Sequence, residues 1–305
     1  MRAPRAGRLF AVGLVCAALA LCRVGGAVAA DISDPSAYRE AQDYLLLLVN
    51  EERSFAKLPP LREDPVAAQA GKLHAEEMLA GGYFSHWDRQ GLKPTRRYNL
   101  QGGYHALAEN VYFYSGPEGT TRELLEQAMK TLMASEGHRR AILGPHYTHL
   151  GVGLAMGQSG RELYIAQEFT TQIGGEYSCP LTAHVGDRVD FSGRFDPHVY
   201  DFAQISVAWE RLPTPRDRGW LTRSGSYGDG DVMFAGLTPD PRMSFPGMST
   251  SHDVELDSNG GWFRCTAQLD YRGREGTYYL MLWLKDKRTG DPVLAATASV
   301  EVRKS

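Results

Sequence analysis

Six of the nine histidines fall between His74 and His149: His74, His86, His105, His138, His146 and His149. Glu109 and Glu136 lie among them. Imidazoles titrate near neutral pH, and with carboxylates they bind zinc; added oxygen ligands shift the preference toward calcium or magnesium. The expectation is therefore a polar cleft in this stretch, able to move protons or hold a divalent ion. The chain has no G-x-S-x-G elbow, no phosphate loop, no dinucleotide fingerprint and no H-E-x-x-H pair on one helix. Serine hydrolase, nucleotide and redox-cofactor readings lose on those patterns, and no organic cofactor is expected.

Residues 1–30 read as a secretory signal peptide. Arg2, Arg5 and Arg8 precede an apolar run from Leu9 to Leu21, and Ala27-Val28-Ala29 offers a cleavage site. The run is short for a bilayer span, and no later stretch reads as a transmembrane segment. A lipid anchor at Cys22 is a second reading, disfavoured by the bulky Leu21. Loss of the leader removes four arginines and no acid, so the net charge moves from −3 to −7. That argues against nucleic acid as a partner. Cys16 and Cys22 leave with the leader, and in an oxidising compartment Cys179 and Cys265 most simply form one disulfide; free thiols are the rival reading.

The apolar period changes near residue 175. Helical spacing predicts helices over 36–55, 65–80 and from Thr120, where Thr120 and Glu123 have capping-box spacing, with a short fourth from Ser135 to Gly144-Pro145. Strands are expected at 109–114, 149–156 and 162–170, with a tight turn through Gln158-Ser159-Gly160. After Gly174-Gly175-Glu176-Tyr177-Ser178, read as a joint, alternation dominates at 188–191, 205–209, 254–256, 262–269, 278–284 and 296–302. The fold class is α+β: helices covering a small antiparallel sheet over 31–173, followed by an all-β, immunoglobulin-like sandwich over 178–305.

Five segments in order carry a resemblance: LLLLVNEERSFAKLPPL, HAEEMLAGGYFSH, AENVYF, SEGHRRAIL and HYTHLGVGLA. Residues 44–170 resemble the CAP superfamily (cysteine-rich secretory proteins, antigen 5, pathogenesis-related protein 1), in its secreted bacterial branch. The resemblance implies an α-β-α sandwich with a shallow cavity lined by two histidines and two glutamates, in which divalent metal has been seen. His86 matches the first histidine and Glu109 the glutamate of the G-E-N motif, here with Ala108 for glycine. His138 matches the histidine of G-H-R, and His146 that of H-Y-T-Q, with His149 in place of the glutamine. Glu136 stands near the place of the second glutamate.

Each position also has a plain structural reading. His74 and His105 read as satisfied core or surface histidines, and Glu136 as a first-turn acid. Asn110 reads as a turn-holding side chain, Arg139 and Arg140 as solvated, and Tyr112-Phe113-Tyr114 as strand core. Two functions follow. In the first, the chain is an exported or periplasmic envelope protein that binds a lipid, a peptide or cell-wall material in a cavity of His86, Glu109, His138, His146 and His149. In the second it is a metal-dependent hydrolase, with His86, His138 and His146 on the ion and Glu109 or Glu136 as general base. Adhesion through the sandwich alone is a third.

Overall fold

Each long helix of the N-terminal half begins where a side chain takes up its free amides. In the computed structural model, which describes residues 32–158, 160–239 and 251–305, Asp34 caps α1 (Pro35–Phe55) by accepting from Ser36 and Ala37 N–H. Asp64 caps α2 (Pro65–Gly81) in the same way through Val66 and Ala67. The predicted capping box opens α4 (Thr121–Ala134). α5 (Glu136–Ile142) follows at once. In this half one helix goes beyond the sequence expectation: α3 (Pro94–Leu100), which has no apolar stripe and buries Arg96 and Arg97. The leader expected at 1–30, with Cys16 and Cys22, and Ser159 of the expected turn lie outside the described residues. Among the described residues no helix is long and apolar enough to cross a membrane.

These helices cover both faces of a four-stranded sheet in the order β1 (Arg62–Glu63), β3 (His149–Met156), β4 (Glu162–Thr171), β2 (Ala106–Ser115). Alternation along β4 assigns the faces. Leu163, Ile165 and Phe169 join Leu45, Val49, Leu125, Leu132 and Ile142 of α1, α4 and α5. Tyr164 and Ala166 join Ala75 and Met78 of α2. Arg53 is wholly buried and, among the described residues, pairs with no acid; it donates to the carbonyls of Pro59, Ile142, Gly144 and Tyr147, tying α1 to the turn before β3.

α2 lies directly on the β3 backbone, and glycines make room for it. A Cβ on Gly153 would stand 2.0 Å from the carbonyl carbon of Gly71, and one on Gly151 2.2 Å from Ala68 N. The obstructing atoms are backbone and cannot swing aside. Gly153→Ala is therefore expected to cost about 3 kcal/mol, the upper end of ordinary overpacking; a urea midpoint unchanged from wild type would refute this seating of the helix.

The C-terminal half is two sheets sharing one apolar core. One has the order β10 (His252–Asp257), β11 (Trp262–Gln268), β7 (Arg188–Phe195), β5 (Gly174–Ser178). The other has the order β6 (Thr182–His184), β13 (Pro292–Arg303), β12 (Gly276–Asp286), β8 (Tyr200–Glu210), β9 (Val232–Leu237). Phe191, Phe263 and Ala267 of the first face Ile205, Val207, Leu280 and Val300 of the second. Two expectations need correction. The segment read as a joint is itself β5, with Ser178 opposite Ser192 of β7. The disulfide is not formed: Cys179 and Cys265 are free, buried thiols. β7 runs between them, since Cys265 is paired with Phe191 and Ser178, the neighbour of Cys179, with Ser192. Positions on two strands flanking a third are about 10 Å apart, beyond the Cα separation a disulfide spans.

The halves are joined along α3 and β13. Arg96 donates to Ser299 O (2.7 Å) and Asn99 to Thr297 O (3.0 Å), while Ser299 N–H donates to Asn99 Oδ1 (2.7 Å). Between β8 and β9 the chain leaves the sandwich altogether. Residues 211–231, including the short helix α6 (Arg218–Arg223), cross the N-terminal domain on its α2 side.

Candidate functional site

β2 and β4 place Glu109 directly opposite Glu168, on the face covered by α2. Both are buried. His86, in the turn after α2, donates from Nδ1 to Glu109 Oε1 at 2.8 Å. Arg97 of α3 donates to Glu109 Oε2, and its other terminal nitrogen holds the carbonyls of His86 (2.7 Å) and Leu92 (3.1 Å). One guanidinium thus fixes both the carboxylate and the turn that carries the histidine. With Nδ1 donating, Nε2 of a neutral His86 is left as an acceptor.

The carboxyls of this centre titrate far apart. Burial opposes ionisation of Glu109, but Arg97 and His86 outweigh it and hold the carboxyl well below its ordinary range. Burial and the Glu109 charge together push Glu168 well above its own, so of the two it is the carboxyl that gives up its proton less readily. Among the described residues its Oε2 has no hydrogen-bond partner. His74, behind the pair on α2, is wholly buried; Nε2–H donates to Ser85 O (2.8 Å) and Nδ1 has no partner, so the ring is neutral. Burial takes its pKa down to about 3.

The open face of the centre is filled from the other domain. The hydroxyl of Tyr227 accepts from Glu109 N–H at 2.8 Å, and its ring lies 4.8 Å from the His86 ring, centroid to centroid. Burial, then the two glutamates, push this phenol well above its ordinary pKa.

The sequence-derived candidates are only partly gathered here. His86 and Glu109 are in contact. His138 of α5 is half-buried close enough to His86 that, after burial, the His86 charge lowers its pKa; its carbonyl takes the Asn110 amide (3.1 Å). Glu136 is exposed, paired with Arg140 at 2.8 Å, and the buried partner of Glu109 is Glu168 instead. His149 bonds Thr148 Oγ1 (2.9 Å), beside Asp64 and Arg62. His146 lines a separate cleft of about 610 Å³ between the domains, with Glu136, Arg139 and Arg140 on one wall and Trp283 and Leu294 on the other. His105 pairs in an isolated bridge with Ala296 and packs on Tyr177.

A divalent ion does not fit this donor set. Both oxygens of Glu109 are taken, one by a guanidinium whose charge repels a cation. Among the described residues no three His, Cys, Asp or Glu side chains converge to hold an ion, so the expected trio of His86, His138 and His146 is not assembled. No step through a metal is derived from this geometry.

Glu168, Arg97 and Tyr227 are not singled out by the sequence. Only Glu168 leaves a trace there, as a charged residue in the middle of a buried strand.

Residues 46–172 match the family model described as CAP, the cysteine-rich secretory protein family. This part of the chain is a CAP domain. Two Bacillus subtilis (strain 168) proteins are similar to it: YkwD, an uncharacterized protein, 30% identical over 122 residues (40% of this chain, 45% of that protein), and YlbC, an uncharacterized membrane protein, 31% identical over 115 residues (37% and 31%). The chain thus spans less than half the length of these curated relatives. Among solved structures, an extracellular SCP-domain protein of Bacillus anthracis str. Ames aligns at 24% identity and TM-score 0.37, covering 44% of this chain and 41% of that one. An outer surface protein of Borrelia burgdorferi aligns at 17% identity and TM-score 0.38, covering 44% of this chain and 95% of its own.

Proposed function

We propose that this chain is an exported ligand-binding module that uses the centre of its CAP domain to hold a ligand by hydrogen bonds. The observation that carries this reading is the engagement of Glu109. Both its oxygens are bound within the protein, one by a guanidinium, so this carboxylate is not poised as a general base. With Tyr227 moved off the Glu109 N–H that it occupies, the centre offers a set of fixed polar groups: that N–H, the Nε2 of His86 and the Glu168 carboxyl. Such a set recognises the hydroxyls or amides of a peptide, of cell-wall material or of a lipid headgroup. Export is supported by the signal-like residues 1–30. The strand order β10-β11-β7-β5 facing β6-β13-β12-β8-β9 supports reading the second domain as an immunoglobulin-like module that presents the CAP domain at the envelope.

The test is binding of the purified chain to wall fragments, to lipid vesicles and to a peptide library, each repeated with His86→Gln. That change leaves the Arg97–Glu109 pair in place. Loss of one charge-assisted hydrogen bond at the site is expected to weaken binding about 10- to 100-fold with the melting temperature nearly unchanged. Ligands that bind the variant as tightly as the wild type would place the site elsewhere.

A further inference from the structure

β8 and β9 are antiparallel neighbours, with Trp209 opposite Val232. About two to five residues suffice to join such strands. Residues 211–231 instead leave the sandwich and lie along the CAP domain, contacting it every few residues as a bound peptide does. Thr214 sits against Gly91, where an added Cβ would come 2.5 Å from the Thr214 carbonyl oxygen and where φ is +82°. Arg216 N–H donates to Arg89 O (2.9 Å). The Trp220 ring meets Trp87 edge-on at 5.5 Å. Leu221 is 1% exposed and belongs to the CAP cluster of Met78, Tyr83, Val111 and Tyr164. Ser224 Oγ bonds Ser85 Oγ at 2.5 Å. Tyr227 fills the polar centre. Lys93 Nζ donates to Gly228 O (2.6 Å) and Thr95 to Asp229 (2.7 Å).

Two of these contacts are anchors, one apolar and one polar. A leucine enters an apolar pocket, and six residues on a phenol enters the centre and accepts from Glu109 N–H. Fixed partners on the CAP side, Arg89 O and Lys93 Nζ, set the register of whatever lies there.

We propose that this face of the CAP domain is a peptide-binding site for a segment that carries an aliphatic side chain on a short helical turn and, six residues later, a tyrosine, and that residues 214–229 are its resident occupant. The proposal rests on the reading of the His86–Glu109 centre as a ligand site, and it names the ligand class. A protein or peptide in the envelope space with the same two anchors is recognised by displacing the strap.

The experiment uses the full chain and a fluorescein-labelled peptide with the sequence of residues 214–229. Fluorescence anisotropy compares the wild type, whose site is filled, with the double variant Leu221→Ala/Tyr227→Ala, whose anchors are removed. The double variant is expected to bind the peptide at least about tenfold more tightly than the wild type. Peptides with alanine at either anchor are expected to lose about tenfold or more. Should the double variant not fold, Tyr227→Ala alone is titrated with p-cresol, the free side chain of tyrosine, and read from the His86 ring resonances, which are expected to shift in the variant and not in the wild type. A folded double variant that ignores the peptide, a peptide that binds as well without its tyrosine, or p-cresol without effect on His86 would each overturn the proposal. Peptide binding indifferent to His86→Gln would instead remove the polar centre from the site and leave the apolar anchor. Binding of wall or lipid ligands that depends on His86 while the peptide fails would sink this inference alone.

Discussion

Arg97→Met is expected to destabilise the protein by about 3–5 kcal/mol, because it leaves the ionised Glu109 buried without a cation. The Arg97 side chain is 8% exposed and that of Glu109 0%, so water cannot take over from the guanidinium. The same change releases the carbonyls of His86 and Leu92, and with them the turn that aims the histidine. Glu109→Gln alone is costly for the converse reason, a buried guanidinium without its acid. The double variant Arg97→Met/Glu109→Gln removes both charges and should lose markedly less than the two single losses added together, since two sites in contact do not add. Urea unfolding of the four proteins gives the cycle, with unchanged m-values confirming that native compactness is kept. Additive losses would show that the pair is an incidental contact, and the centre would lose its electrostatic core.

What the sequence made legible follows from what is local. α1, α2 and α4 announce themselves by apolar period, and α4 also by Thr120 and Glu123 at its cap, because those signals act within a turn or two. The longer strands of both halves announce themselves, whereas β1, β6 and β9 do not. α3 does not, because nothing in Pro94–Leu100 is apolar in period; its arginines are buried only because Glu109 and Ser299 come to meet them from elsewhere in the chain. Gly174–Ser178 reads as a joint for its glycines, yet its backbone pairs with β7. The disulfide follows from cysteine arithmetic and fails because a whole strand stands between the thiols. The site divides in the same way. His86 and Glu109 are found by motif, Glu168 is hidden in a run that reads as strand core, and Tyr227 reaches Glu109 across 118 positions from a different domain. No periodicity reports a contact of that span. His146 and His149 show the opposite error: neighbours in sequence to a real motif, they are carried by the end of β3 and the turn before it to places of their own.

The acid limb of the stability curve should belong to two histidines. Burial lowers His74 to about 3 and His105 to about 4, whereas in the unfolded chain each titrates near 6.5. As pH falls below 6.5 the unfolded chain takes up these protons and the native protein does not, so stability present above that pH is lost on the way down to about 4. Each histidine contributes a slope of about 1 kcal/mol per pH unit in that window. Glu109 has the depressed pKa of a paired acid, so its share stays intact until pH falls below the ordinary carboxylate range. Glu168 works on the other side. Its raised pKa gives stability at low pH that fades as pH climbs through the native value, which rounds the curve into a maximum. Between pH 7 and 5 the two rings together contribute a fall of about 2 kcal/mol per unit, which Glu168 partly offsets in the same window, so urea-derived stabilities at pH 7, 6 and 5 should fall by less than that sum. His74→Gln can keep a donor toward Ser85 O while removing a titrating group, and it should reduce the fall by about 1 kcal/mol per unit relative to the wild type. An acid limb as steep in His74→Gln as in the wild type would mean that the ring behind the glutamate pair accepts a proton in the folded state, and that the polar centre is wetter than its packing implies.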